Sequence, residues 1–146
     1  MFKPTVYEDD RGFFTEAYNS SKDTGVEQVN VSFSHKGVVR GLHYQKPYVT
    51  KRLWVLKGKL YEVAFNPKTG EFRDKMLTPN SGTFICPKGW AHGNQAMEDT
   101  IFCYTMDGVY NADGDKAINP EFVDWPLKPI LSEKDKKAPK WKKSST

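Results

Sequence analysis

The chain has 146 residues, a net charge of +4, two cysteines, and aromatic side chains at 14% of positions. This length supports one domain with a sizeable core. No apolar run approaches the ~18 residues of a membrane span, and MFKPTVYEDD lacks the apolar stretch of a secretory signal, so the expected compartment is the cytoplasm.

Helical periodicity is nearly absent. In chain order, GFFTEAY, EQVNVSFS, GVVRGLHYQ, KRLWVLKG, KLYEVAFN, FRDKMLT, GTFICP, AHGNQAME and TIFCYTMD read as short strands. NPKTGE, TPNSG, CPKG and NADGD supply turn signals, and SSKDTG also reads as a turn. Many short strands at regular spacing indicate an all-β fold, a double-sheet jelly roll or barrel. Cys86 and Cys103 fall in apolar, strand-like segments and read as buried free thiols. The end of the chain, KDKKAPKWKKSST, carries six lysines against one aspartate. Without it the body is close to neutral, so residues 136–146 are expected to be a flexible basic tail on a domain of residues 1–135, not a nucleic-acid surface.

RGLHYQ, Arg40 to Gln45, carries one of three histidines. Strict alternation would put Arg40 and His43 on opposite faces of a strand, so both reach one pocket only if a bulge near Gly41 re-aims one of them. Arg40, His43 and Lys51 fall within twelve residues. A pocket holding such cations is costly unless an anion or a developing negative charge occupies it. AHG adds His92, and IFCYTMDGVY adds Tyr104 and Tyr110, which share a face if the strand stays regular. Metal-binding cupins pair histidines two apart on one strand. Here Tyr44 and Gln45 follow His43, and His35 and His92 are distant in sequence, so no metal site and no cofactor are expected.

DDRGFFTEAY, QVNVSFSHKGVVRGLHYQ, PKGWAHG, FCYTMDGVY, DWP and LSEKD occur in this order. Together they resemble the dTDP-4-dehydrorhamnose 3,5-epimerase family over residues 9 to 135 or so. The resemblance implies a cupin-like jelly roll and a metal-independent isomerase acting on a dTDP-linked 4-keto-6-deoxy sugar in rhamnose or related deoxysugar synthesis. It implies His43 as the base that removes a proton beside the ketone, with Asp135 orienting it. Lys51 would polarise the C4 carbonyl, although Arg52 is adjacent, and Tyr104 would return the proton from the opposite side. Arg11 and Arg40 resemble diphosphate and sugar contacts; Glu16, Gln28 and Asn30 resemble base- and sugar-reading positions; His92 and Tyr110 line the pocket. The family also implies a homodimer that exchanges strands; the near-neutral body and the lack of a long apolar run make neither nucleic acid nor membrane an expected partner.

Against that pattern, only MFKPTVYE precedes DDRGFF where another strand is usual, and QKPYVT between His43 and Lys51 is short. FNPKTGEFRDK replaces a longer acidic turn, Asn94 stands where an aromatic is common, and Lys116 lies near a usual acidic position. The catalytic set is intact, so an active but trimmed enzyme is expected. The alternatives are epimerisation at C3 only, another nucleotide carrier, a non-catalytic nucleotide-sugar-binding module, and a metal-dependent cupin.

Overall fold

The structure is a computed structural model that describes residues 5–143. A hairpin, β1 (Val6–Asp9) and β2 (Gly12–Thr15), precedes the two main sheets. The nine strands that follow are β3 (Gln28–Ser34), β4 (Val39–Gln45), β5 (Lys51–Lys57), β6 (Leu60–Phe65), β7 (Phe72–Leu77), β8 (Phe84–Cys86), β9 (Ala91–Ala96), β10 (Thr100–Met106) and β11 (Asp115–Ala117). A one-turn helix, α1 (Glu133–Lys136), comes late in the chain. One sheet has the order β3-β10-β5-β8 and the other β11-β4-β9-β6-β7, with antiparallel pairing throughout. This is the expected all-β double-sheet architecture. Residues 20–22 of SSKDTG form a turn, as expected.

Alternation places the core. Leu53 and Val55 from β5, Leu60 and Ala64 from β6, Ala96 from β9 and Phe102 from β10 are buried together between the sheets. Fully burying one such side chain contributes about 1.5–3 kcal/mol. Cys86 joins this cluster, and both cysteines are free and buried. Burial pushes their thiols up, Cys86 to about 12 and Cys103 to about 11.

The opposite parity of the five-stranded sheet forms a second cluster. Leu42, Val63, Phe65 and Ala91 pack there with Ile118 and Val123 from the segment after β11. Trp141 belongs to this second cluster. It meets Phe65 edge-on and donates its indole N–H to the carbonyl of Pro67 at 2.9 Å. The basic C-terminal segment therefore contributes an anchored aromatic to the body.

Two details differ from expectation. The residues before DDRG do form a strand, β1, closed on β2 in register Val6↔Thr15 to Asp9↔Gly12. β10 ends at Met106, so Tyr110 is carried by the following loop and not on one strand face with Tyr104. Among the described residues, no helix is long and apolar enough to cross a membrane.

Candidate active site

The bulge inferred near Gly41 is present. β4 pairs Arg40 with Asn94 and His43 with His92, so Gly41 and Leu42 stand opposite the single residue Gly93. One extra residue reverses parity, which is how Arg40 and His43, three apart, come to line one cavity. Gly41 has φ of +127°, and a Cβ there would lie 2.5 Å from Gly93 Cα. Only glycine meets both conditions.

That cavity has a volume of about 560 Å³, within the range of small-molecule sites. Arg40 and His43 from β4, Lys51 from β5, His92 from β9, Tyr104 from β10, Tyr110 and Asp135 all line it. Alternation on β5 resolves the choice between the two adjacent cations. Lys51 enters the cavity, whereas Arg52 is fully buried away from it, where it meets Asp23 at 3.3 Å and stacks on Trp54.

His43 Nε2 lies 2.7 Å from Asp135 Oδ1. Asp135 is buried although LSEKD looks like a solvated turn. Ser132 caps α1 by accepting from the Asp135 amide at 3.2 Å, which turns the carboxylate inward. Burial opposes its ionisation, but the hydrogen bond and charge of His43 outweigh that, helped by the Gly41 amide and Ser132. The Asp135 pKa therefore lies below the ordinary carboxylate value. An ionised Asp135 accepts from Nε2–H, so Nδ1 is the basic nitrogen of His43.

Lys51 Nζ is 3.0 Å from His92 Nε2 and sits 5.4 Å from the centroid of the Tyr104 ring. Burial lowers the Lys51 pKa, against the nearby Cys86, Glu62 and Asp115. Burial raises that of Tyr104, which therefore stays a protonated phenol. Arg40 is fixed by β3: Nε donates to Ser34 Oγ at 2.8 Å and Nη2 to the Phe33 carbonyl at 2.9 Å.

Four expected site residues do not line this cavity. Arg11 is exposed on the β1–β2 turn and paired with Asp9, and Glu16 is paired with Lys22. Gln28 donates to Asn30 Oδ1 at 3.0 Å and accepts from the Tyr110 amide at 2.7 Å, so it holds the rim loop. Asn30 lies opposite Tyr104 across the β3–β10 pair. His35 is exposed beside Asp99, at 3.7 Å. Among the described residues, no group of three or more His, Cys, Asp or Glu side chains is placed to hold a metal ion.

Sequence reasoning did not find Glu62, Asp115 or Gln45. Glu62 is completely buried, 2.9 Å from His92 Nδ1, and accepts from Asn94 Nδ2 at 2.9 Å. Its signal was available, since Leu60, Glu62 and Ala64 share one parity and a lone carboxylate interrupts an apolar row. Asp115 lines the cavity and pairs with Lys134 at 2.8 Å. Gln45 clamps the rim loop by donating to the Val109 carbonyl at 3.0 Å.

The bulged strand, the imidazole–carboxylate pair and the cationic floor define an acid–base cavity inside a cupin-like jelly roll. The sequence pattern of the dTDP-4-dehydrorhamnose 3,5-epimerase family matches residues 1–143. An epimerase of that name from Methanothermobacter thermautotrophicus is 34% identical over 93% of this chain and 85% of its own length. The one from Pseudomonas aeruginosa is 32% identical over 93% and 87%. Among solved structures, the Sulfolobus tokodaii epimerase superposes with a TM-score of 0.87 at 37% identity, covering 95% of this chain and 88% of its own. The Legionella pneumophila epimerase, solved with dTDP-4-keto-L-rhamnose, gives 0.83 at 33% identity, with 94% and 85% covered. The chain belongs to the dTDP-4-dehydrorhamnose 3,5-epimerase family.

Proposed function

We propose that this protein epimerises a dTDP-linked 4-keto-6-deoxyhexose by removing a proton from carbon next to the C4 ketone and returning it to the opposite face. The observation that carries this reading is the 2.7 Å His43–Asp135 pair sharing one cavity with Lys51 and Tyr104. A carbon acid beside a ketone is weak, so the reaction needs a base, a stabilised enolate oxygen and an acid. His43 Nδ1 takes the proton, and Asp135 stabilises the imidazolium that forms. Lys51 offers its charge to the enolate oxygen at C4. Tyr104, kept protonated by burial, returns a proton from the other side. Arg40, preset by β3, and Tyr110 at the rim take the diphosphate end, where a planar guanidinium binds phosphate oxygens in pairs. His92 supports Lys51. No step passes through a cofactor, nucleic acid or membrane, and the cytoplasm is the setting.

A homodimer is part of the same reading. β3 is an edge strand whose outward residues Val29, Val31 and Phe33 are 50%, 65% and 49% exposed. The β1–β2 hairpin likewise presents Tyr7 and Phe14 to solvent. An apolar edge strand of this kind is an assembly hazard unless covered. A two-fold contact that covers it would deliver Arg11 and Glu16 to the nucleotide end of the partner's site, while Gln28 and Asn30, on the inward face of β3 beside Tyr110 and Tyr104, serve their own.

The test is to incubate the purified protein with dTDP-4-keto-6-deoxyglucose, without added cofactor, and follow sugar configuration by NMR. Inversion at C3 and C5 supports the reading. Tight dTDP binding with no inversion makes the protein a non-catalytic binding module and sinks it.

A further inference from the structure

The proposed chemistry makes no use of Glu62. It is fully buried on the cavity side of β6, with Oε1 2.9 Å from His92 Nδ1. The other ring nitrogen, Nε2, is 3.0 Å from Lys51 Nζ. Three side chains thus form a line from β6 through β9 to β5, ending in the cavity at Lys51. An ammonium group can only donate, so a charged Lys51 requires a lone pair on Nε2. The ring proton then sits on Nδ1 and is donated to Glu62. Asn94 Nδ2 donates to the second carboxylate oxygen at 2.9 Å.

We propose that Glu62 is a positioning residue for Lys51. Acting through His92, its carboxylate fixes the imidazole tautomer and holds Lys51 as an ammonium directed at the reacting ketone. This rests on the reading of Lys51 as the group that stabilises the enolate oxygen.

The surroundings show why such help is needed. Burial lowers the Lys51 pKa, and a lysine that loses its proton has no charge to give an enolate. Burial raises the Glu62 pKa well above the ordinary carboxylate value, only partly opposed by the Asn94 hydrogen bond and the charge of Lys51. What favours the carboxylate is the geometry, since a His92 whose Nε2 accepts from Lys51 must donate from Nδ1 to Glu62. Each end alone would be driven neutral; together, bridged by one imidazole, they form a net-neutral pair. The other groups facing Lys51 do not replace Glu62. Tyr104 on β10 and Cys86 on β8 have raised pKa values and are neutral at pH 7. Asp115 on β11 is already paired with Lys134. His43 on β4, once it has taken the substrate proton, is a cation and works against the ammonium. Among the described residues, no carboxylate contacts Lys51 directly, so the charge must be felt through His92.

Glu62→Gln removes the charge and preserves the shape. Asn94 Oδ1 is buried without a hydrogen-bond partner among the described residues, so a flipped Asn94 amide can accept from the new one. The readout is the titration of Lys51, followed by NMR of its carbon-13-labelled ε-carbon in ligand-free protein and assigned with Lys51→Arg. The Lys51 pKa should fall by roughly one to two units in Glu62→Gln, and the alkaline limb of kcat/KM should move down with it. A Lys51 titration unchanged between the two proteins would overturn the proposal.

Because this titration needs no turnover, it separates the two readings. A shifted Lys51 in a protein that inverts no keto-sugar leaves the coupling standing and the proposed function fallen. Should the variant not fold, nitrogen-15 NMR of His92 in the unaltered protein decides. A proton on Nδ1 with a bare Nε2 supports the relay, and the reverse tautomer refutes it.

Discussion

Replacing Asp135 with Asn leaves the volume of the buried pair unchanged and removes its charge. In the structure Asp135 Oδ1 is 2.7 Å from His43 Nε2, and Oδ2 accepts from the Gly41 amide at 3.4 Å. The imidazolium formed when His43 takes the substrate proton faces a carboxylate whose charge centre is about 4 Å away. At an effective dielectric of about 20 that attraction is worth about 4 kcal/mol. An amide oxygen can still accept from Nε2–H, which recovers about 1 kcal/mol. The remaining loss, about 3 kcal/mol, is roughly a hundredfold in rate at about 1.4 kcal/mol per decade. If the amide instead turns its nitrogen to His43, Nε2 must accept and the proton moves to Nδ1. The base is then lost and the fall exceeds a hundredfold. Asp135→Asn should therefore cut kcat at least roughly a hundredfold, measured by stopped NMR time points on the keto-sugar, while calorimetric dTDP affinity stays within about twofold. A kcat reduced less than about fivefold would show that the carboxylate does not stabilise the imidazolium.

Three further substitutions probe the other parts of the site. Tyr104→Phe should abolish inverted product yet retain hydrogen exchange at the carbon facing His43, seen by NMR in deuterated water; full inversion would remove Tyr104 from the acid's role. Arg40→Ala should weaken dTDP binding by roughly 1.5–3 kcal/mol, or about tenfold to a hundredfold in Kd, by calorimetry; unchanged affinity would place the diphosphate elsewhere. Gly41→Ala forces a positive φ on a side chain that lies 2.5 Å from Gly93 Cα. It should cost roughly 2 kcal/mol or more in urea unfolding, and a neutral effect would contradict the bulge.

Much of this was legible in the sequence because sheet periodicity is a strong signal. Every segment read as a strand contains one, from Gly12 to Met106. The two strands missed, Val6–Asp9 and Asp115–Ala117, are short and charged and contain no fully buried residue, so no apolar alternation marks them. The cationic cavity was visible as clustered Arg40, His43 and Lys51, and the parity conflict within RGLHYQ demanded the bulge that the Gly41 backbone supplies. Asp135 was legible only through family resemblance. Its burial depends on a one-turn helix capped by Ser132, which local composition disguises as a solvated turn. Glu62 escaped because a single carboxylate in KLYEVAFN reads as a strand's outer face until parity is counted against Leu60 and Ala64. Arg11 and Glu16 lie away from the cavity, paired with Asp9 and Lys22, and Gln28 and Asn30 stand behind it against Tyr110 and Tyr104, because motif order does not say how far along each strand the cavity reaches.

The most direct measurement is hydrogen exchange from deuterated water into dTDP-4-keto-6-deoxyglucose, read at C3 and C5 for the native protein and for His43→Ala. Deuterium appearing at both carbons with the native protein, and at neither with the variant, is the predicted result. Native protein that leaves both carbons unlabelled, or a variant that labels them at the native rate, would contradict it.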